Sequence, residues 1–360
     1  MSEIRQPAEV KYAAELSALA ARDSGPKPPG WRLSPKAVEH YLIGGEPVDG
    51  VPILAKYVGD RSLVQVMIAT LASDRALMLV GEPGTAKSWL SEHLSAAISG
   101  TSALVVQGTA GTSEEQLKYS WNYALLLAEG PSQRALVPSP ILRAMREGKF
   151  ARLEEITRTS SEVQDALISV LSEKQIVIPE LSEIVSAERG FSLIATANTR
   201  DRGVNEMSAA LKRRFNFVTV PVVQDLEQEL KIVTQREKEL RSDYQVGLEA
   251  PAELSRLLVT LFQELRSGTT KDGKTKLRST SAVLSTAEAI SVLFSSGILA
   301  QSFGNNGVTP EDLTRALVGA IAKEGPEDLK VVREYCETVA KARPGPWKAL
   351  YDASKKHLAD

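Results

Sequence analysis

Lys87 and Ser88 close the segment Gly81-Glu82-Pro83-Gly84-Thr85-Ala86-Lys87-Ser88, which has the spacing of a phosphate-binding loop, G-x-x-x-x-G-K-[ST]. A lysine in that place pairs with the outer phosphates of a nucleotide, and the hydroxyl after it binds Mg²⁺. Ala86 stands where a second glycine is usual, and its methyl is the smallest possible intrusion, so a tolerated variant is expected. Two acids, Glu154 and Glu155, close another apolar run. Adjacent carboxylates at a strand end suit a Mg²⁺ contact from the first and polarisation of the attacking water by the second. A solvated charge pair at a helix start would look the same. Asn198 ends a further apolar run and could orient that water beside Glu155, or be a plain turn asparagine. Arg213 and Arg214 could serve a γ-phosphate, in cis or in a neighbouring subunit, or merely end a helix.

These side chains need strands behind them and helices around them. Ala76–Val80 is a short apolar run fit for a buried parallel strand, and Trp89 to Ile98 reads as the helix after the loop. A strand, a tight turn and a helix N-terminus gather backbone N–H groups around an anion. Further strands are expected at Ala103–Val106, Phe150–Leu153, Phe191–Ala197 and Phe217–Val220, with Arg152 interrupting the third. Their alternation with helical segments predicts a parallel five-stranded sheet flanked by helices, an α/β class. A helix is expected from residue 160 or 161 to Lys174, with Thr159 and Glu162 at capping-box spacing. A hairpin follows over residues 175–186. From Gln224 onward the strands stop, and Leu254, Leu257, Leu258, Leu261 and Leu265 recur at helical spacing, marking a smaller all-helical domain.

The 360 residues are too many for one compact core and suit two domains plus extensions. The boundaries read as an N-terminal extension and linker over 1–50, a nucleotide-binding core over 51–222, a helical lid over 223–325 and a C-terminal helical extension over 326–360. Residues 24–30 are rich in proline and glycine and look like a stiff linker with little capacity to pack. A short helix starting at Pro35 is expected, with Ser34 as its cap. A formal net charge of −2 gives no basic balance for nucleic acid. The single cysteine, Cys336, excludes an internal disulfide and a multi-cysteine metal site, and three scattered histidines give no metal spacing. No signal peptide and no apolar run of membrane length is evident, so a cytoplasmic protein is expected.

Taken in order, these segments resemble the AAA+ ATPases and, within them, the MoxR-like branch, over about residues 51–325. Gly81–Ser88 matches the Walker A loop of that family. Leu153-Glu154-Glu155 matches Walker B, with Glu154 where the metal-binding aspartate is usual. Asn198 falls on sensor 1, and Arg214, with Arg213 beside it, on the arginine finger. Tyr57-Val58-Gly59-Asp60 resembles the element that contacts adenine. The resemblance thus assigns nucleotide contacts to Val58, Gly59, the loop Gly81, Glu82, Pro83, Gly84, Thr85, Ala86, Lys87 and Ser88, and Trp89 after it. The hairpin at 176–186 sits where the clade has its pre-sensor 1 hairpin, and residues 117–145 where the branch inserts an extra element. Sensor 2 would fall near Arg278–Leu284, with Ser281 at the aligned position.

The resemblance implies ATP and Mg²⁺ as cofactors and a homo-oligomeric, usually hexameric, ring. It implies a remodelled protein client, often one with a von Willebrand factor A domain. A nucleic-acid-acting ring ATPase is the competing reading, supported by the basic loop Lys271, Lys274, Lys276 and Arg278. Only 5% of residues are aromatic, which leaves little for base stacking. A nucleotide-gated scaffold with weak hydrolysis is a third reading, motivated by Ala86 and Glu154. A P-loop kinase would explain the loop but not Asn198, the arginine pair or the helical lid.

Overall fold

The computed structural model describes residues 5–198, 205–281, 283–304 and 307–358. Five parallel strands carry the candidate residues: β1 (Ala76–Gly81), β2 (Val105–Gln107), β3 (Phe150–Glu154), β4 (Ser192–Asn198) and β5 (Phe215–Thr219). Their order across the sheet is β5-β1-β4-β3-β2. Central β1 and β4 have neighbours on both sides and apolar side chains on both faces, which is why they read as continuous apolar runs. β2 starts two residues later than the sequence reading placed it, at Val105.

Arg152 does not interrupt β3. It sits inside the strand, paired in register with Ile194 on one side and Val105 on the other. Each of its three guanidinium nitrogens donates a hydrogen bond, which is what allows a cation to be buried there.

Chain contacts divide the molecule into two units. The first runs up to Glu82 and over Ala86–Pro221; the second takes Pro83–Thr85 and the chain from Val222. In the first unit, helices α1 (Ala13–Arg22), α2 (Pro35–Ile43), α3 (Arg61–Ala72) and α4 (Lys87–Ser99) share one apolar cluster with the sheet. α2 begins at Pro35, and the Ser34 hydroxyl accepts from the Ala37 N–H, as expected for that cap.

The N-terminal segment before the proline-rich stretch packs on the first unit, while residues 24–30 themselves stay exposed or half-exposed. Ala8, Tyr12 and Leu19 are buried, and the Tyr12 ring meets those of Tyr41, Trp89 and His93. Glu92 on α4 accepts from the Ala8 N–H, and Lys56 lies buried against Glu15 at 2.7 Å. Past the proline-rich stretch, Trp31 is only 8% exposed and sets its edge against Phe150 of β3. A weakly amphipathic stretch over residues 10–21 announces the helix Ala13–Arg22, but the ring contacts of Tyr12 and Trp31 follow no period.

The helix expected over 160–174 is two short pieces, Ser161–Asp165 and Leu167–Ser172. Its cap is Ser160, which accepts from the Val163 N–H, while the Thr159 hydroxyl turns back to the Ile156 carbonyl. The hairpin forms as read, pairing Gln175–Ile178 with Glu183–Ser186. Residues 117–145 contain a second hairpin, Tyr119–Trp121 with Leu136–Pro138, and an exposed helix over Tyr123–Glu129.

The second unit is helical: α5 (Leu226–Tyr244), α6 (Ala252–Ser267), α7 (Thr286–Phe303), α8 (Pro310–Ile321), α9 (Pro326–Thr338) and α10 (Pro346–His357). One apolar cluster runs from Val233 to Leu358, so the last two helices share the core of the others. Two buried carboxylates organise it. Glu229 receives Arg266, Gln263 and Thr286, and Glu264 receives Tyr335, Arg343 and the Lys271 N–H.

Trp31→Ala should cost about 3–5 kcal/mol of stability, the usual range for truncating a buried tryptophan. Urea unfolding of the two proteins measures this. A flexible linker at this point would give a change within about 0.5 kcal/mol.

Candidate functional site

Side chains alternate along a strand, so Phe150, Arg152 and Glu154 of β3 share a face, and that face looks at α4. Glu154 lies at the strand's end beside the first turn of α4. The Ser88 hydroxyl donates to one of its carboxylate oxygens at 2.6 Å, and the Thr196 hydroxyl of β4 donates to the same oxygen at 2.7 Å. The other oxygen accepts from the Ser91 hydroxyl at 2.6 Å and from Arg152 at 2.8 Å. Burial pushes the Glu154 carboxyl up, but Arg152 and the three hydroxyls outweigh it and hold the group below the usual carboxylate range.

Glu155 sits where the chain leaves the strand, in the left-handed region at φ 55°. Its N–H donates to the Thr196 hydroxyl, and its carboxylate lies 2.6 Å from the Arg158 guanidinium. Gly108 completes the corner. Its N–H donates to the Glu154 carbonyl at 2.7 Å, and a Cβ there would meet the Glu155 carbonyl oxygen at 2.5 Å. Asn198 ends β4 opposite Gly81 in register, so it stands beside the start of the loop.

In the loop, Gly84 has φ 76°, and Ala86 takes φ 66° and ψ 23° as the cap of α4. Ala86 therefore occupies the left-handed conformation for which glycine is the usual residue. The Lys87 ammonium donates to the carbonyls of Gly81 and Glu82 at 3.0 and 2.7 Å. The Trp89 indole donates to the Lys56 carbonyl and packs on His93. Val58 and Gly59 lie in the turn before α3, whose cap is Asp60.

The arginine pair is elsewhere. Arg214 immediately precedes β5, and Phe215 pairs in register with Ala76, the first residue of β1. The loop follows the last residue of β1, a rise of roughly 16 Å away. Arg214 donates to the Ser172 hydroxyl and the Ala210 carbonyl, and Arg213 is exposed. Neither side chain is placed to reach the loop of its own chain. Ser281, at the aligned sensor 2 position, is bonded to Asp328 through both its N–H and its hydroxyl.

The donor set fits a hard cation. Among the described residues no group of three or more His, Cys, Asp and Glu side chains is poised for a metal. The Ser88 hydroxyl and the Glu154 carboxylate, 2.6 Å apart, are oxygen donors of the kind Mg²⁺ takes. Ser91, Arg152, Thr196 and Gly108 escaped the sequence reading. Only Arg152 carried a signal, a cation inside an apolar strand.

Family models match twice: an AAA domain of the dynein-related subfamily over residues 76–215, and a YehL-like AAA+ ATPase C-terminal domain over 227–357. The uncharacterized protein YehL of Escherichia coli (strain K12) is 47% identical over 97% of this chain and 96% of its own length. An uncharacterized protein of Staphylococcus aureus (strain USA300) is 30% identical over 48% of this chain and 65% of its own. The crystal structure of NtrX from Brucella abortus in complex with ADP superposes with a TM-score of 0.52 at 15% identity. That match covers 84% of this chain and 64% of NtrX, and at such identity it speaks for the fold alone.

Ala86→Gly should stabilise the nucleotide-free protein by up to about 1 kcal/mol, because the strain at φ 66° exceeds the entropy glycine adds to the unfolded chain. Thermal unfolding measures it; a loss of stability would mean that the methyl group packs favourably.

Proposed function

We propose that this chain, which belongs to the YehL-like AAA+ ATPases, binds ATP with Mg²⁺ and hydrolyses the β–γ phosphoanhydride. The observation that carries the reading is the contact between Ser88 of the loop and Glu154 of β3, with Glu155 as the next residue. A bound Mg²⁺ would supply charge neutralisation for the phosphates, held from the protein side by Ser88 and Glu154. Lys87, at the start of α4, would exchange its two carbonyl partners for phosphate oxygens. Glu155 would accept a proton from the attacking water, on release from Arg158, and Asn198 would orient that water.

The finer reading is a MoxR-like, chaperone-type ATPase working as a homo-oligomeric ring, hexameric by the resemblance. Its client would be a protein, such as one with a von Willebrand factor A domain, in the cytoplasm. The distance of Arg214 from its own loop supports a role in a neighbour's site rather than in cis. Among the described residues no helix is long and apolar enough to cross a membrane. In the basic loop of the nucleic-acid reading, Lys271 and Lys274 have partners within their own unit, while Lys276 and Arg278 are exposed. The Lys271 N–H donates to Glu264, its ammonium meets Gln263, and Lys274 leans on Asp272. The scaffold reading keeps one specific observation in its favour, a Glu154 carboxylate already saturated with protein donors.

Phosphate release decides between hydrolysis and a scaffold. Lys87→Ala should abolish ATP binding or turnover with the fold intact. Glu155→Gln should keep ATP bound and lose at least about a hundredfold in turnover, since an amide cannot accept the proton. Parental turnover in both variants would remove the site assignment.

Arg214→Ala should bind ATP normally and hydrolyse it poorly, as an arginine supplied in trans can be worth about a thousandfold or more. Mixing it with Glu155→Gln should restore part of the activity, because a mixed ring can pair an intact Glu155 with a neighbour's intact Arg214. Rings shown to exchange subunits without any recovery would rule out the trans role.

A further inference from the structure

Arg152 is 7% exposed, on a strand paired on both sides, behind the first turn of α4. It spends its donors on four groups. Its Nε bonds the Ser91 hydroxyl at 3.0 Å, and one terminal nitrogen bonds the Ser102 carbonyl at 3.0 Å. The other terminal nitrogen bridges the Ser88 carbonyl at 3.1 Å and the Glu154 carboxylate at 2.8 Å. The cation thus touches the backbone of the residue after Lys87 and the side chain expected to face the metal. Glu154 answers with all of its reach. A glutamate spans from the end of β3 to Ser88 and Thr196 with one oxygen and to Ser91 and Arg152 with the other. An aspartate, one methylene shorter, could not keep both sets from the same backbone position.

We propose that Arg152 is a positioning residue that neutralises Glu154 in the nucleotide site, so that nucleotide binding depends less on Mg²⁺ than the acids alone would allow. The inference rests on the nucleotide reading above. An unpaired carboxylate directly behind the phosphate loop repels a polyanion, and a divalent cation is the ordinary means of cancelling that repulsion. Here a guanidinium fixed by four hydrogen bonds does part of the cancelling from inside the sheet. Its charge is permanent, since arginine does not lose its proton in proteins. Removing it leaves Glu154 to three hydroxyls and restores a full negative charge beside the anion site. The consequence is specific: metal-free binding weakens, while binding with Mg²⁺ changes little, because the cation then takes over the neutralisation.

The test is titration of a fluorescent ATP analogue in excess EDTA and, separately, in excess Mg²⁺, using the full chain. The wild-type affinity in EDTA should lie within about tenfold of that in Mg²⁺. Arg152→Leu should weaken binding in EDTA by a further tenfold or so and leave the Mg²⁺ value within about threefold. Arg152→Lys, which keeps the charge but not the fork, should bind in EDTA close to the wild type. If Arg152→Leu does not fold, Arg152→Gln is read by the same criterion. Equal weakening in both buffers would make Arg152 a structural residue and overturn the proposal. So would a leucine variant that binds in EDTA as well as the wild type. Absence of binding by the wild type in both buffers would instead overturn the nucleotide reading itself.

Discussion

The carboxylate of Glu154 is the knot on which the site depends. Four donors from three elements meet on its two oxygens: Arg152 from its own strand, Ser88 and Ser91 from α4, and Thr196 from β4. A buried carboxylate is tolerated only with such a set of partners, and losing one would strand a charge in the sheet. The same bonds fix the position of α4 over the sheet, and with it the loop that starts the helix. Thr196 also takes the Glu155 N–H, so one hydroxyl sets the posture of both acids. The chemistry and the packing of this end of the sheet are therefore a single arrangement.

The N-terminal fifty residues support α4 from the other side. Tyr12, Tyr41, Trp89 and His93 form a ring cluster whose last two members belong to α4 itself, and Tyr41 donates to or accepts from His93 at 2.7 Å. Lys56 lies over the faces of Tyr12 and Tyr41 while paired with Glu15. Aromatic rings carry large buried area and a cation held over them gains further attraction. The helix that presents Lys87 and Ser88 is thus clamped between β3 and segments far from it in sequence. At this end of the chain the N-terminal segment shares its packing with α4.

What could be read without coordinates follows from how local each signal is. The strand β1, the loop and α4 were legible because their whole pattern lies within about two dozen consecutive residues. The hairpin at 175–186 and the cap at Ser34 were legible for the same reason. The strand that holds Arg152 looked broken, because a cation in a central strand is acceptable only when Ser88, Ser91, Ser102 and Glu154 converge on it. Those partners are scattered over more than sixty residues. Trp31 and Tyr12 were missed likewise, since single large side chains at irregular spacing leave no period. The spacing of Thr159 to Glu162 suits a cap, yet Ser160 takes the place one residue later. Such boundaries differ by less than the pattern can resolve.

The polarity of the sheet also decides what one chain can complete. In parallel strands all carboxyl ends lie together, so the loop after β1, the acids after β3 and Asn198 after β4 gather on one edge. Arg213 and Arg214 precede β5, which puts them on the other edge. No side-chain rotamer bridges a strand's length, and Arg214 spends its donors on Ser172 and Ala210. If an arginine assists the γ-phosphate in this protein, the strand direction requires either a different residue or a second copy. The one arrangement in which both edges serve the same nucleotide is head-to-tail, with the arginine edge of one subunit against the loop edge of the next. Repeated around an axis, a head-to-tail contact closes into a ring when its rotation closes, so the proposed ring is the assembly that a role for Arg214 in trans would require.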